Sequence, residues 1–192
     1  MILLVLPDVP IDEGLLRRLR QGDQNAVLAA YELYFPPLYQ YARLKVGDST
    51  VAEDIVSDVF VTLIESLGRR SAPKVNLRGW LFSVARYKIA RTYGKIQHLP
   101  LADVEDWMPA PSEYNPENQV IDSQNIERVR QALRMLNADQ QEALILRFGQ
   151  RLPLQDTADI MGKSLSAVKS LQFRALETLR TILVEPDPEA TA

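Results

Sequence analysis

The sequence predicts an all-α protein in which two small helical domains are joined by a flexible acidic linker. Apolar residues recur at three- and four-residue spacing along most of the 192 residues. One stretch departs from this pattern, because its four prolines and many acids disfavour a regular helix. We therefore predict a first domain at residues 10–97, an acidic, proline-rich linker at 98–121 and a second domain at 122–184.

Composition excludes several classes of site. The chain has no cysteine and one histidine, His98, so a Cys/His zinc site, a disulfide framework and a multi-histidine metal centre are excluded. We predict no catalytic residue, metal or cofactor, and no enzymatic activity. The absence of cysteine fits a reducing cytoplasm.

The apolar start of the chain, residues 1–6, is too short for a membrane span, which needs about 20 residues. It also lacks the features of a signal peptide. We interpret it as a tucked or disordered terminus, with a partner-docking segment as the alternative, and we expect no membrane insertion.

The first domain is predicted to hold five helices separated by turn and cap residues. Gly22 ends the first helix and Asp23 caps the second, which Pro36 and Pro37 end as they open the third. Gly47-Asp48-Ser49 separates the third helix from the fourth, which ends at Gly68. Asn76 caps the fifth helix, which runs to about Ile96.

The second domain begins near Asp122 with a predicted amphipathic helix. Asn137 then caps the next helix, with Gln140 placed for a capping box, and Gly149 ends it.

Residues 153–180 follow with the spacing of a helix-turn-helix. A short helix over about Leu154–Met161 leads through Gly162 to a second helix capped by Ser164. Inward positions are Leu165, Val168, Ala175 and Leu179, and outward positions are Ser166, Lys169, Ser170, Phe173 and Arg174. Outward hydroxyls and cations suit a recognition helix in a DNA major groove. An ordinary αα-hairpin is the alternative.

Charge is segregated along the chain although the net charge is only −3. Residues 48–68 carry −5, residues 69–98 carry +8 with no acid, residues 99–127 carry −7 and residues 128–184 carry +4. A run of eight bases without an acid is the electrostatic footprint of a phosphate-binding surface.

Three motifs occur in one order. Residues 52–60 read AEDIVSDVF, residues 77–86 read LRGWLFSVAR and residues 167–175 read AVKSLQFRA. The chain closely resembles the extracytoplasmic-function (ECF) group of sigma factors in the bacterial sigma-70 family, over roughly residues 12–183. In that family the first motif packs on RNA polymerase, the second opens and reads the −10 promoter element, and the third reads the −35 element.

The resemblance implies site residues of three kinds. Those for polymerase binding are Glu53, Asp54, Ser57 and Asp58. Those for the −10 element are Lys74, Asn76, Arg78, Trp80, Arg86, Tyr87 and Arg91. Those for the −35 element are Ser164, Ser166, Lys169, Ser170, Phe173 and Arg174. Trp80 has an alternative role as a core anchor, and the linker, which by resemblance enters polymerase, has an alternative role as a solvated spacer.

The chain departs from the family pattern at four positions. Ser57 stands where glutamine is common, Tyr87 where asparagine is usual, Arg91 where aspartate is common and Gln172 where leucine is usual. Because of Tyr87 and Arg91, the −10 sequence preference of this chain is expected to differ from that of the family. Because of Gln172, the packing behind the recognition helix is expected to differ as well.

The implied partners are core RNA polymerase and promoter DNA. An anti-sigma factor is a further partner common in the family, although no residue here is diagnostic of one. The competing hypothesis is a LuxR-type helix-turn-helix regulator that acts without replacing sigma. A third is a helical hydrolase using Glu53, Asp54 and Asp58, which lie at helical spacing without His or Cys ligands.

Overall fold

The computed structural model describes residues 13–67, 69, 72–93, 128–129 and 131–184, and all regular secondary structure in these ranges is helical. The all-α prediction is therefore confirmed. The predicted linker at 98–121, its boundaries with the two domains and the apolar residues 1–6 lie outside the described residues. By its contacts the chain divides into two compact units, Met1–Gly94 and Lys95–Ala192.

The helices are named here in chain order. The first unit contains α1 (Glu13–Arg20), α2 (Gln24–Val46), α3 (Ser49–Ser66) and α4 (Leu77–Tyr93). The second contains α5 (Ala138–Leu144), a π-helical turn (Ile145–Gly149), α6 (Leu154–Met161) and α7 (Leu165–Val184). None of the described helices combines the length and apolar character that a membrane span requires.

The core of the first unit lies where α2, α3 and α4 pack on one another, with α1 against α2. Its fully buried side chains include Leu38, Tyr41, Leu63 and Phe82. The rings of Tyr41 and Phe82 meet edge to face with centroids 5.4 Å apart, an arrangement that aromatic pairs prefer. This contact joins α2 to α4 and so helps to position α4, which carries Arg78, Arg86, Lys88 and Arg91.

The predicted helix break at Pro36 and Pro37 is wrong, because α2 continues through both residues. Each proline removes one backbone hydrogen bond. Packing offsets this loss, since α2 has buried residues both before and after the prolines and packs on α3 and α4. Phe35 also stacks on Tyr39 across the prolines, with ring centroids 6.0 Å apart. The first unit therefore has four helices in its described part, where five were predicted.

The core of the second unit lies where α5 and α6 pack on α7, with the π-helical turn against α5 and α6. The fully buried side chains of this unit include Leu136, Ile145, Leu146 and Leu152. The predicted capping box is confirmed, because Asn137 and Gln140 exchange hydrogen bonds of 2.9 and 3.0 Å at the start of α5. The predicted end of this helix at Gly149 coincides with the end of the π-helical turn rather than of α5.

Candidate nucleic-acid interface

The helix-turn-helix consists of α6, a tight turn and α7. Gly162 has φ of 64°, a left-handed conformation that glycine adopts without a steric penalty. Ala158 of α6 and Val168 of α7 are both buried, and α6 packs on α7. The predicted bounds of the short helix, Leu154–Met161, are confirmed.

The outer face of α7 carries the side chains predicted to contact the −35 element. Exposed side chains at these positions are Ser166, Lys169, Ser170, Phe173 and Arg174. Phe173 is 67% exposed, whereas Val168 and Ala175 on the opposite face are fully buried. The predicted outward positions from Ser166 onward and the inward positions Val168 and Ala175 are confirmed, whereas Leu179, also expected to face inward, is half-buried.

The first turn of α7 differs from the prediction. Leu165 was expected to face inward but is 37% exposed, because a residue at the end of a helix has packed neighbours on one side only. Ser164 is the cap, as predicted: its Oγ accepts a hydrogen bond of 3.2 Å from the backbone N–H of Ala167. The same Oγ lies 3.1 Å from Oγ of Ser166. Ser164 therefore positions α7 in addition to any contact with DNA.

An open cavity of about 380 Å³ lies along the start of α7. Its lining residues are Asp139, Lys163, Ser166, Ala167, Ser170, Leu171 and Arg174. Sequence reasoning missed Asp139 and Lys163 as members of this surface. Lys163 directly follows the turn glycine, a signal that could have found it, whereas Asp139 comes from α5, 24 positions earlier in the chain.

Arg147 connects the π-helical turn to α7. Its Nε donates a hydrogen bond of 3.3 Å to Oε1 of Gln172, and its Nη1 donates to the carbonyl of Leu152. Gln172 is half-buried. The polar residue at this position is thus explained, because it accepts a hydrogen bond from a cation, and charge-assisted hydrogen bonds are stronger than neutral ones.

The basic helix α4 begins at a cap. The Oδ1 of Asn76 accepts a hydrogen bond of 2.8 Å from the N–H of Gly79, so the predicted capping role is confirmed. A Cβ on Gly79 would lie 2.9 Å from Nδ2 of Asn76, so a larger residue at this position would shift the capping side chain. Lys74 and Val75 are exposed just before it, Val75 by 81%. Asn76 is thus committed to the cap through its oxygen.

The remaining −10 candidates differ in exposure. Tyr87 is 65% exposed and Arg91 is exposed, whereas Arg78, Trp80 and Arg86 are half-buried. Trp80 therefore belongs wholly neither to the core nor to the surface.

Arg86 acts electrostatically on a buried tyrosine of the core. Burial raises the pKa of the Tyr41 phenol, and the positive charge of Arg86 opposes that shift in pKa.

The acidic face of α3 is solvent-accessible. The polymerase-binding candidates Glu53, Asp54, Ser57 and Asp58 are all exposed. Asp58 has a second role that sequence reasoning missed, because its carboxylate lies 2.8 Å from Nζ of Lys88 on α4. This ion pair joins the acidic helix to the basic helix. Among the described residues, no group of His, Cys, Asp and Glu side chains is placed to hold a metal ion.

The two units match two family models in order. The description "Sigma-70 region 2" applies to residues 30–98, and "Sigma-70, region 4" applies to residues 132–181. Together the two matches cover more than half of the chain. The chain therefore belongs to the sigma-70 family, whose members are transcription initiation factors.

Its relatives carry names from the ECF group. The chain is 31% identical over 170 residues to the ECF RNA polymerase sigma factor BldN of Streptomyces coelicolor, a match covering 88% of this chain and 64% of that protein. It is 29% identical over 170 residues to the ECF RNA polymerase sigma factor SigD of Mycobacterium tuberculosis, covering 85% and 79%. The chain thus spans just under two thirds of the length of the Streptomyces relative. The predicted membership of the ECF group is confirmed.

Two solved structures share the fold. CnrH in complex with the cytosolic domain of CnrY matches with a TM-score of 0.62 at 21% identity, over 95% of this chain and 100% of that one. The sigma factor RpoE in complex with the anti-sigma factor NepR, from Bartonella quintana, matches with a TM-score of 0.55 at 25% identity, over 83% and 98%.

Proposed function

We propose that this ECF-group chain is a promoter-specificity subunit. It binds core RNA polymerase and directs initiation by recognising −10 and −35 elements, without covalent chemistry of its own. The observation that carries this proposal is the occurrence of a region 2 match and a region 4 match in order along one chain. The direct test is transcription in vitro with core polymerase and a library of promoters. Transcripts from a defined subset of promoters, dependent on the chain, are expected, and their absence would contradict the proposal.

Recognition of the −35 element is assigned to the exposed face of α7. Lys169 and Arg174 place cations beside the hydroxyls of Ser166 and Ser170, a set suited to phosphates and base edges. The substitutions Lys169→Ala and Arg174→Ala should each weaken holoenzyme binding to −35 promoters while leaving polymerase capture unchanged. Arg180→Ala is the matched control, because Arg180 is an exposed cation farther along the same helix. Equal loss in all three variants would contradict the assignment.

Polymerase binding is assigned to the exposed acids of α3. Glu53 and Asp54 lie in the first turns of that helix and face solvent. Reversing both charges to lysine should reduce co-purification with core polymerase, because a basic docking surface would then meet like charge. Glu65→Lys is the control, since Glu65 is an exposed acid near the other end of α3. Asp58 is left intact because its change would also break the ion pair with Lys88.

Binding of the opened −10 element is assigned to the outer face of α4 and the residues before it. Tyr87 and Arg91 supply an exposed aromatic ring and an exposed cation, the combination that holds unpaired bases. Tyr87→Ala should reduce the permanganate reactivity of thymines in the opened promoter. Thr92→Ala, at an exposed neighbour on the same helix, should leave that reactivity unchanged. If permanganate reactivity is unaffected by Tyr87→Ala, the assignment of this tyrosine is wrong.

The LuxR-type alternative is disfavoured by the region 2 match at residues 30–98. The two functions differ in their need for another sigma factor. A specificity subunit supports transcription with core polymerase alone, whereas a regulator of the other type requires holoenzyme that already contains sigma. We infer a cytoplasmic location, where core polymerase and the bacterial chromosome lie.

An anti-sigma factor is proposed as a further partner. The support is that the sigma factor RpoE, at 25% identity, was solved in complex with the anti-sigma factor NepR. A protein with this role must compete with core polymerase for the chain. Co-purification of a candidate with the chain, followed by its displacement by added core polymerase, would support the assignment. A candidate bound together with polymerase would contradict it.

A further inference from the structure

An acidic side chain lies on the same surface as the recognition helix. Asp139, in the first turn of α5, places Oδ2 at 2.9 Å from Nζ of Lys163. Lys163 lies in the turn between α6 and α7, one residue after Gly162. The side chains are 51% and 30% exposed, respectively, so both groups remain accessible to a third charged partner.

The ion pair lies on the surface that is proposed to bind DNA. Asp139 and Lys163 line the same open cavity as Ser166, Ser170 and Arg174. Any DNA phosphate approaching that surface meets the carboxylate together with the cation. A carboxylate repels phosphate, and it holds the ammonium that would otherwise neutralise one. The recognition surface thus contains a cation that is already paired.

We propose that Asp139 is an electrostatic brake on the recognition helix, which holds Lys163 in an ion pair and limits sequence-independent phosphate binding. The inference rests on the proposed −35 function of α7. Phosphate contacts supply affinity for any sequence, whereas the exposed side chains of α7 can read base edges. Pairing Lys163 within the protein lowers the contribution of phosphate contacts to affinity and leaves the reading of base edges unchanged. Asp139 is therefore a positioning residue that favours specificity over affinity.

The test compares binding of the full chain to a short duplex without promoter sequence, as a function of KCl concentration. Asp139→Asn should tighten binding at low salt and steepen the salt dependence. Release of one cation adds about 0.9 to the log–log slope, so the advantage of the variant should shrink about 3.5-fold between about 50 and 200 mM KCl. The ratio of affinities for a −35 duplex over the unrelated duplex should fall in the same variant.

Asp139→Asn could tighten DNA binding either by releasing Lys163 or simply by removing a negative charge. The variant Lys163→Gln distinguishes these two explanations. In the otherwise unchanged chain it should alter the slope little, because Lys163 is already paired. Combined with Asp139→Asn it should abolish the added slope. A gain that persists in the double variant overturns the proposal, as does Asp139→Asn binding no better than the unchanged chain. Circular dichroism establishes that each variant is folded.

Asp159→Asn is the matched control. Asp159 is an exposed acid on α6 whose carboxylate accepts a hydrogen bond of 2.9 Å from Gln155. Its replacement changes the net charge equally and should leave the slope unchanged, so an equal steepening there would refute a role specific to Asp139. If Lys169→Ala leaves −35 binding intact, the proposed −35 function of α7 is refuted. If Lys169→Ala weakens −35 binding but Asp139→Asn has no effect, only the proposed role of Asp139 is refuted.

Discussion

Replacing Pro36 by alanine should stabilise the first unit. Pro36 lies inside α2 with its side chain exposed, so the substitution removes little packing. A proline in a helix interior is less favourable than alanine by about 3 kcal/mol. Alanine also gives the unfolded chain more conformational entropy than proline does, which offsets about 0.4–1 kcal/mol of the gain in helix stability. The free energy of unfolding should therefore rise by about 2 kcal/mol.

The measurement is urea unfolding, monitored by amide hydrogen exchange in peptides from α3. These peptides report on the first unit. With a typical urea m-value of about 2 kcal/mol per molar, the midpoint should rise by about 1 M. Glu32→Ala serves as the control, because Glu32 is an exposed residue of the same helix that already has a backbone N–H. An unchanged or lower midpoint for Pro36→Ala would refute the reasoning. It would mean that the first unit requires the backbone geometry that proline imposes.

Three further experiments test the packing around the proposed interfaces. Asn137→Ala removes the capping box of α5 and should lower the stability of the second unit by about 1 kcal/mol, measured by thermal unfolding. A double-mutant cycle on Asp58 and Lys88 should give a coupling of about 0.2–1 kcal/mol in urea unfolding, because the pair is partly exposed; a coupling of zero would contradict a stabilising role for this ion pair. Gln172→Ala removes the hydrogen bond from Arg147 and should weaken −35 binding more than polymerase capture, and an equal effect on both would contradict a positioning role.

Local signals were sufficient for most helix boundaries. The caps at Asn76, Asn137 and Ser164 were predicted and are present, because a cap involves residues only two or three positions apart. The outward face of α7 was also predicted, since helical periodicity alone separates Lys169 and Arg174 from the buried Val168 and Ala175. Neither prediction depends on a distant part of the chain.

Two predictions failed because a neighbouring element decides the outcome. Pro36 and Pro37 do not end α2, since packing against α3 and α4 outweighs the two lost backbone hydrogen bonds. Leu165 is partly exposed although its spacing from Val168 predicts burial. Periodicity describes the faces of a helix, but it does not say where along the helix the packed neighbours end.

The sequence by itself determined the helical class, the separation of charge into blocks and the motifs of the ECF group. These properties depend on residues that are close together in the chain. Only the tertiary structure decided which charges meet: Asp58 with Lys88, and Asp139 with Lys163. Each pair joins residues more than 20 positions apart, and the strength of an ion pair depends on distance and solvent exposure. Both quantities are set by how the helices pack, which no local pattern specifies.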